Sequence, residues 1–108
     1  MEAREYLDGA GRSPFARWFE GLDPLAAAKV TAAVARLCAG NLSNVKSVGA
    51  GVHESRIDSG PGYRVYFAWE GRTIVLLLGG GTKKRQRRDI EDAARRWADH
   101  KARRRHGG

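Results

Sequence analysis

Two neighbouring segments of the sequence carry charged and aromatic side chains at alternating positions. They read VHESRID and, a short turn later, YRVYFAWE. Because side chains alternate between the two faces of a strand, Glu54 and Arg56 share one face of the first segment. Arg64 and Tyr66 likewise share one face of the second segment, whose other face is apolar. We therefore expect these four side chains to project from one exposed face of a sheet.

A strongly basic segment follows the last apolar run of the sequence, in LLLGGGTKKRQRRDI. Lys83, Lys84 and Arg85 come almost directly after the three glycines, and Arg87 and Arg88 follow one residue later. If the apolar run is a strand of the same sheet, its end brings these cations to the edge of the exposed face. The sequence thus predicts one surface that gathers two arginines, the lysines of the turn, a tyrosine and a glutamate.

Such a surface suits RNA as a substrate. RNA carries its own nucleophile, the 2′-hydroxyl, so an enzyme needs a base, cations that stabilise the crowded phosphate, and an acid for the leaving oxygen. A lysine among other cations can act as acid or base, arginines bind phosphate oxygens in pairs, and a tyrosine can stack on a base. The candidate catalytic residues are Arg56, Arg64, Tyr66, Lys83 and Lys84, and the candidate RNA-binding residues are Glu54, Arg85, Arg87 and Arg88.

The same residues also fit a purely structural role. Arg56 would then pair with Glu54 or Asp58 across the sheet, and Arg64 would pair with Glu70. The net charge of +8 supports either reading, since residues 1–82 contribute only +1 (nine basic, eight acidic) and residues 83–108 contribute +7 (eleven basic, four acidic). A cluster of this kind attracts nucleic acid or an acidic protein, but it also occurs as a solvated tail.

Other kinds of site find little support in the sequence. The histidines at 53, 100 and 106 and the single Cys38 form none of the usual metal-ligand spacings, so we expect neither a metal nor another cofactor. Cys38 lies in an alanine-rich helical segment, where a small buried residue is the ordinary role. The GGGTKKR segment lacks the spacing of a phosphate-binding loop and follows the last strand rather than the first.

Turn and capping residues divide the chain into short elements. The sequence predicts an edge strand near its start, then two helices that open with Ser13-Pro14 and Asp23-Pro24, the first closed by Gly21. Three strands in a meander follow, and then a basic helix. We predict an α+β fold in which the helical hairpin covers one face of a small antiparallel or mixed sheet and the other face stays partly open. Residues 1–101 would form one domain and residues 102–108 a frayed basic tail.

The composition indicates where such a protein works. No apolar run is long enough to cross a membrane, and the acidic start lacks the features of a secretory signal. One cysteine cannot form an internal disulfide, which favours a reducing compartment. We expect a cytoplasmic protein that does not associate with membranes.

Two blocks of the sequence resemble a known family. GVHESRIDSGPGYRVYF, followed by LLLGGGTKKRQRRDIEDAARRW, is similar to the RelE/ParE superfamily of toxins from type II toxin–antitoxin systems. The resemblance is to the branch of phage-derived addiction-module killer proteins related to HigB-type toxins. The early SPFARWFEGLD also resembles the first helix of that family, so the likeness covers nearly the whole chain.

The resemblance implies a fold, an activity and partners. The fold would be the compact RelE/ParE-like sheet with an N-terminal helical hairpin. The activity would be growth arrest, most often by endonucleolytic cleavage of mRNA on the translating ribosome, as an mRNA interferase. The partner would be a cognate antitoxin, usually a helix-turn-helix protein. Arg64, Arg56 and Lys83 or Lys84 match basic positions of the family.

Two positions depart from the family pattern. Ile90 stands about where many ribonuclease members have a tyrosine or histidine that acts as acid or base, and Ser55 replaces an apolar residue. A lysine-based mechanism would be the substitute. Alternatively, the protein would poison DNA gyrase as ParE-like relatives do, or would be a basic nucleic-acid-binding module without activity.

Overall fold

The structure is a computed structural model that describes residues 1–106. The chain forms, in order, β1 (Glu2–Glu5), α1 (Pro14–Glu20), α2 (Pro24–Cys38), β2 (Val45–Gly49), β3 (Val52–Ile57), β4 (Tyr63–Glu70), β5 (Ile74–Thr82), a 3-10 turn (Lys83–Arg85) and α3 (Gln86–His106). This confirms the α+β class, the helical hairpin and the meander. It is the architecture expected of a RelE-like protein.

The two N-terminal helices begin where their capping residues predict. The side chain of Ser13 accepts a hydrogen bond from the Ala16 amide at 3.0 Å, and Asp23 Oδ1 accepts one from the Ala26 amide at 2.9 Å. In both helices a proline occupies the first turn, where its missing N–H leaves no helical hydrogen bond unmade. The capping residues and prolines therefore determine where both helices of the hairpin begin, without any contribution from tertiary contacts.

The strands form one sheet in the order β1-β5-β4-β3-β2. β1 runs parallel to β5, and the other neighbouring strands are antiparallel, so the sheet is mixed. β5 lies between β1 and β4, which accounts for its apolar sequence. The β1 ladder ends at Glu5 opposite Leu77, with one further hydrogen bond from the Tyr6 amide to the Leu77 carbonyl. Residues 78–82 of β5 therefore extend beyond β1 and have no strand neighbour on that side within the described chain.

Each face of the sheet has its own hydrophobic core. On one face, Phe15, Val30 and Leu37 of the helical hairpin pack against Val65 and Phe67 of β4. The other face is covered by α3, so the expectation of a face left open to solvent is wrong. The residues buried there include Tyr66, Val52 and Leu78 from the sheet and Ala93 and Trp97 from α3. The stripe of Ile90, Ala93, Ala94 and Trp97 that the sequence predicts for this helix is the face that packs on the sheet.

The last helix is also longer than predicted. It continues to His106, so the segment from residue 102 that we expected to fray is helical up to that point, and residues 107 and 108 lie outside the described chain. Side-chain contacts hold its end to the sheet. Arg104 Nη1 donates to Glu70 Oε2 at 2.8 Å, and Arg103 donates to Asp99 and to the Leu7 carbonyl. Tyr6 donates to Asp99 at 2.6 Å.

The three glycines of β5 allow helices to approach the sheet closely on both faces. A β-carbon at Gly79 would lie 2.6 Å from Arg96 Nη1, and one at Gly81 would overlap the Asp89 carboxylate, both from α3. A β-carbon at Gly80 would overlap the indole of Trp18, from α1 on the opposite face. Glycine inside a strand often marks such an approach. The glycine run is therefore a packing feature of the sheet.

Within residues 1–106, no helix combines the length and the apolar composition that a membrane-spanning segment requires.

Replacing Gly80 by alanine tests the close approach of α1. We expect Gly80→Ala to lower the free energy of unfolding by about 1–3 kcal/mol, because the new methyl group must displace the Trp18 ring. Gly9→Ala is the matched control, since nothing lies within 4 Å of a β-carbon there. Urea denaturation of the two variants measures their free energies of unfolding. Equal values would contradict the close packing of Trp18 on Gly80.

Candidate functional site

Arg64 and Glu54 form a buried ion pair beneath α3. Arg64 is 6% exposed and Glu54 is 2% exposed. Arg64 Nε lies 3.6 Å from Glu54 Oε1, and Gln86 from the first turn of α3 donates to Glu54 Oε2 at 2.9 Å. Lys46 on β2 is the other cation near this carboxylate, at 4.0 Å. Removing one partner of such a pair strands a buried charge, so these two side chains serve the fold.

Tyr66 lies in the same buried layer. Its side chain is completely inaccessible to solvent, and its hydroxyl has no hydrogen-bond partner among the described residues. Burial raises the pKa of this phenol, and the nearby Glu54 carboxylate raises it further. The expectation that Tyr66 lies on an exposed surface, where it could stack on a base, is wrong because α3 covers that face.

Arg56 differs from Arg64 in being exposed. It is opposite Arg64 in the ladder between β3 and β4, yet it is exposed and its Nε lies 3.6 Å from Asp58 Oδ1. Together with Lys29 and Arg36 of α2 it lines a separate surface groove. The structure therefore does not bring Arg56 and Arg64 to one concave surface, and the pairing with Asp58 is one of the two we considered for Arg56.

The cations that follow β5 are all on the surface. Lys83, Lys84 and Arg85 form the exposed 3-10 turn, and Arg87 and Arg88 are exposed in the first turn of α3. They follow the end of β5, but unlike Glu54, Arg64 and Tyr66 they are exposed. Of the nine predicted site residues, Arg85 also lines a large concave surface.

That surface is a cleft of about 700 Å³ between α1 and α3, at the end of β5. We call it the α1–α3 cleft. Its walls and floor come from four parts of the chain: Tyr6, Asp8, Arg12 and Ser13 near the N-terminus, Pro14, Arg17 and Trp18 of α1, Gly80, Gly81 and Thr82 of β5, and Arg85, Asp89, Asp92, Arg95 and Arg96 around α3. Because β1 ends early, the cleft opens directly onto the unpaired end of β5.

Three arginines of the cleft are free to bind an anion. Arg95 pairs with Asp92 at 3.1 Å, and Arg96 donates to the Leu78 carbonyl at 3.0 Å. Arg12, Arg17 and Arg85 are exposed and lie more than 4.0 Å from every carboxylate of the described chain. Unpaired guanidinium groups on opposite walls of a cleft are well placed to bind phosphate oxygens.

Asp89 is an acidic residue of the cleft whose carboxyl has a buried oxygen without a hydrogen-bond partner among the described residues. It stands in the first turn of α3, half-buried, and its Oδ2 is inaccessible to solvent and makes no hydrogen bond within residues 1–106. Burial raises the pKa of this carboxyl, while Arg85 and other arginines oppose the shift. An unsatisfied polar atom in a native structure calls for an explanation, and a functional role is one.

Sequence reasoning missed most of this cleft. By its spacing, Trp18 belongs with Phe15 and Phe19 to an apolar stripe of α1, and Arg95 and Arg96 flank the apolar stripe of α3. Neither assignment shows that the two helices meet across the end of β5. The glycine run was the one available signal, since Gly79, Gly80 and Gly81 face Arg96, Trp18 and Asp89.

Comparison with known proteins places the chain in a family. A family model described as "Phage derived protein Gp49-like (DUF891)" matches residues 17–98. The chain belongs to this Gp49-like family. These are RelE-like addiction-module killer proteins, as the two sequence blocks indicated. An uncharacterised protein of Haemophilus influenzae is 45% identical over 80 residues, which cover 73% of this chain and 81% of that protein.

The Gp49-like match spans both walls of the cleft. It begins at Arg17 of α1 and ends just after Trp97 of α3, so it contains Trp18, Arg85 and Asp89. In residues 1–106 no three histidine, cysteine or carboxylate side chains cluster closely enough to hold a metal ion. The lining of the cleft supplies five guanidinium groups, an indole and three carboxyls.

A pair of tyrosine substitutions tests the account of the buried layer. We expect Tyr66→Phe to leave stability unchanged or to raise it by about 1 kcal/mol, because the hydroxyl removed is buried and unpaired. Tyr6→Phe should instead lower stability by about 1–3 kcal/mol, since it removes the donor to the Asp99 carboxylate. Thermal unfolding compares the two. Equal losses would mean that Tyr66 has a partner that the structure does not show.

Proposed function

We propose that this chain is the toxin of a type II toxin–antitoxin module and that it arrests growth by cutting mRNA on the translating ribosome. The observation that carries the proposal is the α1–α3 cleft, whose lining contains three arginines without ion-pair partners and an indole. Membership of the Gp49-like family supports the toxin assignment.

The dimensions and charge of the cleft suit a single-stranded ribose-phosphate chain. Arg12 and Arg17 come from the N-terminal part of the chain and Arg85 from the 3-10 turn, so a phosphate bound in the cleft would meet guanidinium groups from two parts of the chain. Trp18, half-buried below Gly80, offers a ring on which a base can stack. Lys84, Arg87 and Arg88 lie beside Arg85 on a neighbouring part of the surface. Their positive charge would attract the RNA at longer range.

This proposal changes the roles of the residues that the sequence brought forward. Arg64, Glu54 and Tyr66 hold α3 on the sheet, so that the cleft has a second wall. Lys83, Lys84, Arg85, Arg87 and Arg88 remain candidates for contacting RNA. Arg56 lies in a different groove and has no part in the cleft.

The proposed setting is the cytoplasm, with an antitoxin as the partner. A helix-turn-helix antitoxin is the partner usual in the HigB-like branch, and this chain's own antitoxin would neutralise it by binding. Because the toxin carries a net charge of +8, an acidic antitoxin surface would associate with it rapidly.

Expression of the protein alone tests the proposal. We expect the wild-type chain to stop growth and to produce new transcript 5′ ends within translated frames. Arg17→Ala and Arg85→Ala should each reduce cleavage by about 10–100-fold, since each removes a charge-assisted hydrogen bond to phosphate worth about 1.5–3 kcal/mol. Mapping of 5′ ends before and after induction measures this.

Arg72→Ala is the matched control, because it removes the same charge from an exposed position in the turn between β4 and β5, outside the cleft. It should remain as toxic as the wild type. Growth arrest with intact transcripts and stalled replication would contradict RNA cleavage and favour gyrase poisoning. Normal growth of the wild-type strain would favour an inactive basic module.

A further inference from the structure

We propose that Asp89 is the general base of the reaction, the group that takes the proton from the attacking 2′-hydroxyl in the α1–α3 cleft. This inference rests on the proposed function. It assigns proton transfer to a residue that is neither a lysine of the 3-10 turn nor a tyrosine, the types that the sequence brought forward.

The other titratable groups of the cleft are already engaged. Asp8 accepts hydrogen bonds from the amides of Ala10 and Arg12 at 2.9 and 3.0 Å. Asp92 pairs with Arg95 at 3.1 Å, and the Tyr6 hydroxyl donates to Asp99 at 2.6 Å. Asp89 has no ion-pair partner within 4.0 Å in residues 1–106, and its Oδ2 has no hydrogen bond. It is the acidic side chain of this cleft that is left available for a proton.

The strand beneath Asp89 is shaped to admit this carboxyl. Its Oδ2 lies directly over Gly81, where even a single β-carbon would overlap it. Gly81 is itself buried, and β5 contributes it to the floor of the same cleft. The side chain is thus held between a helix and a strand at the bottom of the cleft, which limits its motion. A catalytic base needs such a fixed position, and it must also reach its substrate; because Oδ2 is closed to solvent, Oδ1 is the oxygen of Asp89 that would meet the 2′-hydroxyl.

The charges around Asp89 suit a base. Burial raises the pKa of its carboxyl above the ordinary value, which makes the carboxylate a better proton acceptor. Asp92 acts in the same direction, while Arg85, Arg96 and Arg88 lower the pKa and keep the group ionised near neutral pH. The charged or titratable groups that face it from the other elements are Tyr66 of β4, Arg17 of α1, and Arg12, Asp8 and Tyr6 before α1.

The reaction balances with this residue as the base. Asp89 takes the proton of the 2′-hydroxyl as the 2′-oxygen attacks phosphorus, and the bond from phosphorus to the 5′-oxygen breaks. Water gives a proton to the leaving 5′-oxygen, and the hydroxide formed takes the proton back from Asp89. The products are a 2′,3′-cyclic phosphate and a 5′-hydroxyl. Arg17 and Arg85 offset the charge that builds on the phosphoryl oxygens.

The test uses the full-length protein, ribosomes programmed with a defined mRNA, and single-turnover cleavage at saturating toxin. Asp89→Asn keeps the shape of the side chain and should slow cleavage at least about 100-fold, the usual contribution of a general base. Its melting temperature at neutral pH should not fall, because it removes a buried charge whose raised pKa destabilises the folded state there. Asp58→Asn, the same substitution at an exposed position outside the cleft, should stay within about threefold of the wild type.

The pH dependence supplies a second measurement that needs no variant. The wild-type rate should rise with pH, with a midpoint above the ordinary pKa of an aspartate, and level off as Asp89 becomes fully ionised, and Asp89→Asn should lose this rising limb. A wild-type rate without that limb overturns the inference, as does an Asp89→Asn protein that cleaves normally or melts at a clearly lower temperature. In each of those cases cleavage by the wild type leaves the proposed function standing, whereas a wild type that never cuts RNA overturns both.

Discussion

The packing of α3 across the second face of the sheet is the contact on which the rest of the molecule depends. It buries Tyr66 and Val52 beneath Ala93 and Trp97, and it closes Glu54 and Arg64 off from water. It also supplies one wall of the α1–α3 cleft. A helix with so few apolar residues can cover a sheet only if its alanines and the strand glycines let the backbones come close together. Gly79 and Gly81 meet that condition, because side chains of α3 occupy the space that their β-carbons would fill.

The sequence predicted those elements whose signals are local. Both N-terminal helices start at the expected capping residues, and the meander follows from alternation and turn chemistry. The covered second face was missed for a different reason. Glu54, Arg64 and Tyr66 look like surface residues by type, and only the position of α3 reveals that they are buried. The alternation of side chains along each strand correctly placed them on one face of the sheet. It carries no information on which element covers that face.

Long-range geometry explains the difference between the predicted and the observed site. The predicted residues come from adjacent strands and one turn, which are close in sequence. The cleft instead combines Arg17 with Arg85, which are separated by more than half of the chain. One of its acidic residues, Asp89, lies in the most basic segment of the protein, so the composition of that segment gives no reason to single it out. The carboxyl oxygen of Asp89 without a hydrogen bond and its close approach to Gly81 both depend on how α3 packs against β5, so the tertiary structure is needed to see them.

The end of β5 has one more consequence, for solubility. Residues 78–82 leave ladder positions without a strand partner, and an exposed ladder edge is where two identical chains join and begin to aggregate. Here the edge is only five residues long, and Arg17 and Arg85 line the cleft at this end of β5. A second copy approaching this edge would bring its own cations against them, and the repulsion between like charges would oppose pairing of the two edges.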